Sequence, residues 1–335
     1  MVQAASSERS TSDQKEATRL KVLYLLGSSR TGSTLLDNIL GEFDGFFSAG
    51  EVRFLWRRLL ESRKCGCGQP IGLCEVWGPV LQTFLSPNYD LDEARRIVQM
   101  QRECMRTRHT LRLLRQPPGA SLSPPDLDQY AELTAAVYRR VADLTGAAVI
   151  IDSSKRPSDG ALLRLMPGIE TYFVHLVRDP RAVAYSRKKK KLNPDREIPA
   201  DMGGVNPVLS TSQWVAGDMG ASALKRTHRN DRTMVLRYED FTRDPRSSVG
   251  KIIEMLGERP QSSPFLDDRT VQLGIHHTVS GNPTRFHTGP TELREDTRWV
   301  EGLSSRDRWT VTVMTLPRLL RYGYPARVGA GSLRT

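Results

Sequence analysis

Apolar residues along this chain fall into short runs of strand length, each ending in a polar loop, with helix-period stretches between them. Leu20–Leu26 is the first such run, and it ends in Gly27-Ser28-Ser29-Arg30-Thr31-Gly32-Ser33-Thr34. Leu35, Leu36, Ile39 and Leu40 follow at helical spacing and stop at Gly41. Strand, glycine-bearing loop and helix in that order open a doubly wound parallel sheet. Ala147–Ile151 running into Asp152-Ser153-Ser154-Lys155 repeats the pattern, as does Tyr172–Val177 running into Arg178-Asp179-Pro180. There Asp179 suits an N-cap and Pro180 a first helical residue. Thr233–Arg237, before Tyr238-Glu239-Asp240, reads as a fourth strand. Helical periodicity covers Glu51–Ser62, Leu91–Leu114 and Asp126–Leu144, punctuated by Pro117-Pro118-Gly119 and Pro124-Pro125. The predicted fold is α/β, with a central parallel sheet and helical insertions that build a lid or pocket.

Residues 1–19 mix Ser, Thr, Gln and charges without periodicity and are expected to form a disordered tail. One domain is predicted over 20–325, followed by a short tail at 326–335. Composition narrows the partners. With 49 Lys+Arg against 38 Asp+Glu, the net charge of +11 favours an anionic ligand. Nucleic acid, an acidic membrane surface and a small phosphorylated molecule all remain open on charge alone. No apolar stretch approaches the ~18 residues needed to span a bilayer. Residues 1–19 lack the apolar core of a signal peptide, and four cysteines make no disulfide scaffold, so a cytoplasmic location is expected.

The first loop has the Gly-x4-Gly spacing of a phosphate-binding loop, but Ser33 stands where a lysine reaches the β/γ-phosphates of a triphosphate. Loop amides and a helix N-terminus still cradle a shorter anion, and Arg30 supplies a cation three residues upstream. At the second basic strand end, Arg178 sits at a strand tip and Ser186 two turns into the next helix. An arginine fork and a hydroxyl at the carboxyl edge of a parallel sheet suit a second phosphate.

Together, Gly27–Thr34 and Arg178–Ser186 resemble the two signatures of sulfotransferases that use 3′-phosphoadenosine 5′-phosphosulfate (PAPS). The Arg30–Thr34 version is similar to the tyrosylprotein and bacterial small-molecule branches, and Tyr238-Glu239-Asp240-Phe241 resembles the family's Tyr-Glu-Asp-Leu segment. The resemblance implies a P-loop-like three-layer sandwich. It implies that Ser28, Ser29, Arg30, Thr31, Gly32, Ser33 and Thr34 hold the 5′-phosphosulfate, and that Arg178 and Ser186 hold the 3′-phosphate. Tyr238 is carried over as a further cofactor contact. Asn282 and Arg285, in a turn resembling the Gly-Asn-Pro-x-Arg segment of bacterial relatives, are implied to close over the cofactor.

Sulfonyl transfer needs charge neutralised on the leaving phosphate and a proton taken from the acceptor. Arg30 is the natural cation, and Lys155 is a second one, expected to protonate or stabilise the bridging oxygen. Glu51 follows Gly50 at the start of a predicted helix, where the tyrosylprotein branch places its catalytic glutamate, and is assigned as base. His276, His277 and His287 are the rivals, while His175 inside a strand reads as a core residue. The acceptor is expected to be a small molecule, lipid or natural product, bearing a hydroxyl or an amine. Cys65-Gly66-Cys67-Gly68 with Cys74 and Cys104 does not give four ligands at zinc spacing, so no metal is expected. Two rival classes are a kinase-like nucleotide-binding enzyme, weakened by Ser33, and a basic nucleic-acid-binding protein, weakened because no reading module is visible. The run Arg187–Lys191 raises positive potential near the cofactor entrance, and no nucleic acid partner is expected.

Overall fold

A computed structural model describes residues 19–327 apart from 87, 118, 120–121, 190–191, 196–199 and 202–203. The expected tails lie almost wholly outside these residues, as do the last two lysines of the basic run.

Five strands, β1 (Leu20–Gly27), β2 (Phe46–Gly50), β3 (Val149–Lys155), β4 (Ile169–Val177) and β7 (Thr233–Arg237), form one sheet in the order β2-β3-β1-β4-β7. All neighbouring pairs are parallel. Two short antiparallel pairs stand apart: β5 (Leu192–Asn193) with β6 (Ala200–Asp201), and β8 (Thr270–Leu273) with β9 (Gly289–Glu292). Parallel strands need crossovers, and the crossover helices cover both faces of the sheet. This is why β1 is apolar without a break from Val22 to Leu26 rather than alternating. Leu23 and Leu25 face α1 (Ser33–Leu40), α10 (Tyr238–Arg243) and α11 (Pro245–Leu256). Val22, Tyr24 and Leu26 face the opposite layer.

That opposite layer comes largely from the long insertion between β2 and β3: α2 (Leu55–Leu60), α3 (Trp77–Phe84), α4 (Leu91–Cys104), α5 (Thr110–Arg115) and α6 (Pro125–Thr145). It is completed by α7 (Pro157–Leu163) and α9 (Pro207–Thr227), and α8 (Pro180–Lys188) packs between α9 and the late helices α12 (Trp299–Gly302) and α13 (Ser305–Arg321). The α/β sandwich is as expected. Two helices are not. The stretch 91–114 breaks after Cys104 and restarts through a 3-10 turn, and Val52–Phe54 is a 3-10 turn rather than the first turn of α2.

One buried carboxylate joins three elements beneath the carboxyl edge of the sheet. Asp37 on α1 accepts hydrogen bonds from Ser48 Oγ of β2 at 2.7 Å and from Ser153 Oγ of β3 at 2.6 Å. Burial pushes its carboxyl up to about 6 even though both hydroxyls favour the charged form. Asp152 is also buried, held by Tyr138 Oη at 2.5 Å and the Ser154 amide at 2.8 Å, and burial pushes it up to about 7.

A carboxyl raised in the fold keeps its proton while the unfolded chain has already lost it. Its contribution is therefore full below the unfolded value near pH 4 and is lost as pH rises to about 7. We expect Asp152→Asn to gain stability relative to the parent between about pH 5 and about pH 8, by more than 1 kcal/mol. Urea unfolding at both values checks this; a difference that does not change with pH would remove Asp152 as its source.

Candidate functional site

Every strand of the parallel sheet ends at or just before a residue singled out above. The loop after β1 carries Arg30, Glu51 follows β2, Lys155 closes β3, Arg178 follows β4 and Tyr238 follows β7. All five line one cavity of ≈ 470 Å³, with Ser29, Gly32, Ser33, Thr34, Ser186, Asn282 and His287 among the other walls. Of the 51–146 and 192–232 insertions, Glu51 and Val205 are the wall residues among those described. The pocket is built mainly by strand ends and the late segment 273–296, not by the helical insertions.

The first loop wraps tightly before α1. Gly32 is its N-cap in the left-handed region at φ 88°, and no side chain caps the first turn, which leaves the leading amides of α1 without a side-chain partner. The ring of Tyr238 lies against Gly32, where a Cβ would come within 2.6 Å of it. Thr31 is fully buried, its Oγ1 donating to the Ser28 carbonyl at 2.9 Å, and Ser28 Oγ donates to the Ser29 carbonyl. Those two side chains shape the loop and do not line the cavity. Ser29, Arg30, Gly32, Ser33 and Thr34 do line it.

Lys155 Nζ lies 2.6 Å from Glu51 Oε1 and donates to the Ser153 carbonyl at 2.8 Å. Gly50 turns the chain into Glu51 at φ 71°, and a Cβ there would meet Ser280 O at 2.7 Å and Thr278 Cβ at 2.8 Å. Gly50 is thus a steric requirement of the late segment's close approach. Burial lowers the pKa of Arg30, while the nearby Glu51 charge opposes that shift.

The Arg178 guanidinium is buried and stacks 4.3 Å over the Tyr238 ring. It donates to the Arg30 carbonyl at 3.0 Å and meets Asp296 at 3.3 Å, while its Nε has no hydrogen-bond partner among the described residues. Asp296 is held down at about 2, chiefly by its hydrogen bond from Arg298 and also by the Arg178 charge. Asp179 does not pair with Arg178; it caps α8 and pairs with Arg181 at 2.6 Å. Ser186 and Arg187 complete this side of the cavity. Arg187, whose pKa is lowered by burial and then by Arg30, is a cavity cation from the basic run 187–191.

A model of the Sulfotransferase family matches residues 79–261, more than half of the chain. Among solved structures, the sulfotransferase domain of the Synechococcus PCC 7002 olefin synthase is 21% identical, covering 93% of this chain and 97% of that one, with a TM-score of 0.47. The sulfotransferase domain of the curacin biosynthetic pathway is 14% identical, covering 91% and 98%, with a TM-score of 0.48. Sulfotransferase STF9 from Mycobacterium avium is 14% identical, covering 92% and 78%, with a TM-score of 0.43. No curated protein matches the chain.

The matched segment holds Lys155, Arg178, Ser186 and Tyr238 but ends before Arg285, whose position differs from the expected one. Arg285 is 2% exposed and lies outside the cavity wall. Its guanidinium donates to the carbonyls of Thr278 and Lys64, both at 2.7 Å, and faces Asp195 at 3.6 Å. Asn282 alone of that pair lines the cavity, and its amide donates to Thr34 Oγ1 at 3.1 Å. Of the rival histidines, His276 pairs with Glu42 at 2.7 Å and His277 meets Cys74, so His287 is the one at the cavity. His175 is buried against Asp218, and burial pushes it down to about 4, as befits a core residue. We expect Arg285→Met to lower unfolding free energy by about 2–4 kcal/mol, because two carbonyls lose their donors in a packed interior. Urea denaturation checks this. Loss of nucleotide affinity with unchanged stability would return Arg285 to the cavity.

Proposed function

The chain belongs to the sulfotransferase family, and on that footing we propose that it moves a sulfonate group from PAPS to a hydroxyl, or less often an amine, of a small-molecule, lipid or natural-product acceptor. The observation that carries this reading is the Glu51–Lys155 pair, 2.6 Å apart in a cavity that also holds Arg30 and Arg178. No helix among the described residues is long and apolar enough to cross a membrane, and none of the four cysteines is in a disulfide, which suits a reducing cytoplasm.

The residues fit a nucleotide with two anionic ends. A buried arginine with an unpartnered Nε, uncapped helix amides and a glycine against an aromatic ring all point to phosphate recognition beside a planar group. When bound, PAPS supplies an activated sulfonate whose transfer leaves adenosine 3′,5′-bisphosphate. In this reading Arg30, Ser33, Thr34 and the amides of α1 hold the phosphosulfate. Arg178, Ser186 and Tyr238 hold the 3′-phosphate end, with Asn282 beside them. Glu51 accepts the acceptor's proton. Lys155 keeps that carboxylate oriented, and its charge offsets the negative charge that builds on the leaving oxygen. Ser33 in place of the triphosphate-binding lysine favours this donor over ATP.

Adenosine 3′,5′-bisphosphate should raise the melting temperature where ATP–Mg and DNA do not; the reverse pattern would overturn the reading. Arg178→Ala should weaken adenosine 3′,5′-bisphosphate by about 1.5–3 kcal/mol and adenosine 5′-phosphosulfate much less, because only the former carries a 3′-phosphate. Calorimetry on both ligands checks it. Glu51→Gln should lower kcat by roughly 10²–10⁴ with cofactor affinity near that of the parent, while His287→Asn should leave kcat close to normal. Steady-state kinetics on the two variants decides between them, since a loss confined to His287→Asn would transfer the role of base to that residue.

A further inference from the structure

Away from the cavity, Cys65, Cys67, Cys74 and His277 bring their ligand atoms within 4.8 Å of one another. None of the four lines the cavity. Three come from one loop, but His277 is 203 residues from Cys74, and its Nδ1 lies 3.2 Å from the Cys74 sulfur. Four ligands around a zinc ion at ~2.3 Å stand on the order of 3.8 Å apart, so this group is close to a tetrahedron in size.

The surroundings are those of ligands rather than of four stray thiophilic side chains. The loop is closed by the Cys65 amide to the Gln69 carbonyl at 2.7 Å and the Gly68 amide back to the Cys65 carbonyl at 2.9 Å. Gly66 is pressed against the late segment, where a Cβ would meet His276 O and Thr278 Oγ1. On its far side His277 Nε2 lies 3.2 Å from Glu75 Oε1. A histidine that ligates through one nitrogen and gives the other N–H to a carboxylate is a recurrent metal-site arrangement.

We propose that Cys65, Cys67, Cys74 and His277 bind one zinc ion in a closed, four-ligand structural site. Three soft thiolates with an imidazole select zinc among the abundant divalent metals. Because all four positions are filled by protein, the ion has no open position for substrate. Its role is mechanical. It fastens the Cys loop to segment 277–280, which carries the Ser280 carbonyl that accepts the Glu51 amide at 3.1 Å. The expectation of no metal rested on counting cysteines in sequence and missed the fourth ligand; Cys104 is buried elsewhere.

The full-length protein, purified without added metal and without a histidine tag, should carry one zinc per chain by elemental analysis. Cys74→Ser and His277→Asn should hold it at least about tenfold more weakly against a chelator, whereas Cys104→Ser should keep it. Should those variants fail to fold, protein produced with cobalt supplies the second readout: a thiolate-to-cobalt charge-transfer band with intense tetrahedral transitions. Folded parent protein with negligible zinc and no such band would overturn the proposal. So would a disulfide among Cys65, Cys67 and Cys74 in protein prepared under reductant with zinc. Neither readout depends on the donor that the cavity takes.

Discussion

Parallel pairing of β1, β2, β3, β4 and β7 is the constraint from which the site follows. Strands that run the same way must all end on the same edge, and each return path must pass outside the sheet through a helix or a longer insertion. The five strand-end residues Arg30, Glu51, Lys155, Arg178 and Tyr238 are thereby gathered from distant parts of the sequence without any one loop having to be long. Positive charge accumulates at that edge for the same reason, since three of the five are cations.

Gathering side chains is not the same as aiming them, and the backbone is bent to do it. The non-glycine residues with positive φ among those described are Arg30, Ser62, Tyr89 and Lys155, and two of these carry the proposed chemistry. A left-handed conformation at such a residue costs of the order of 1–3 kcal/mol and persists only where neighbours over-determine it. Here Arg178 donates to the carbonyl of Arg30, and Lys155 is fixed by Glu51 and by the carbonyl of Ser153. Beneath them Asp37 ties α1, β2 and β3 through Ser48 and Ser153. Ser153 thus serves twice, its hydroxyl holding the sheet to α1 and its carbonyl holding the lysine.

The strand ends were legible because a buried parallel strand is a run of apolar residues that stops abruptly at polar ones. The fate of each side chain was harder to read. Arg178 and Arg285 look alike in sequence, each an arginine near a turn, yet one faces the cavity and the other is consumed by the carbonyls of Thr278 and Lys64. Thr31 sits in the middle of the phosphate-loop pattern, but its hydroxyl is turned to the Ser28 carbonyl. Arg178 and Arg285 each bond to a residue more than a hundred positions away, and local pattern carries no trace of those contacts. The same holds for Asp37 and for His277, whose partners come from other elements. The helix break after Cys104 is a tertiary effect too, because the periodicity runs on through it.

Glu51, the proposed base, follows a strand at the edge of the sheet. β2 is an edge strand, paired with β3 alone, and an edge strand leaves half of its main-chain groups without a sheet partner. Segment 278–280 meets that need: the Val279 amide donates to the Ala49 carbonyl at 2.9 Å, and the Ser280 carbonyl accepts the Glu51 amide. The segment is itself held by the Gly66 amide on the Thr278 carbonyl, by Arg285 and by His277 beside the cysteines. The cations owe their positions to β1, β3 and β4, the inner strands of the sheet. Glu51 owes its position to a brace from outside the sheet, so what loosens the Cys loop or Arg285 reaches the carboxylate before it reaches Arg30 and Arg178.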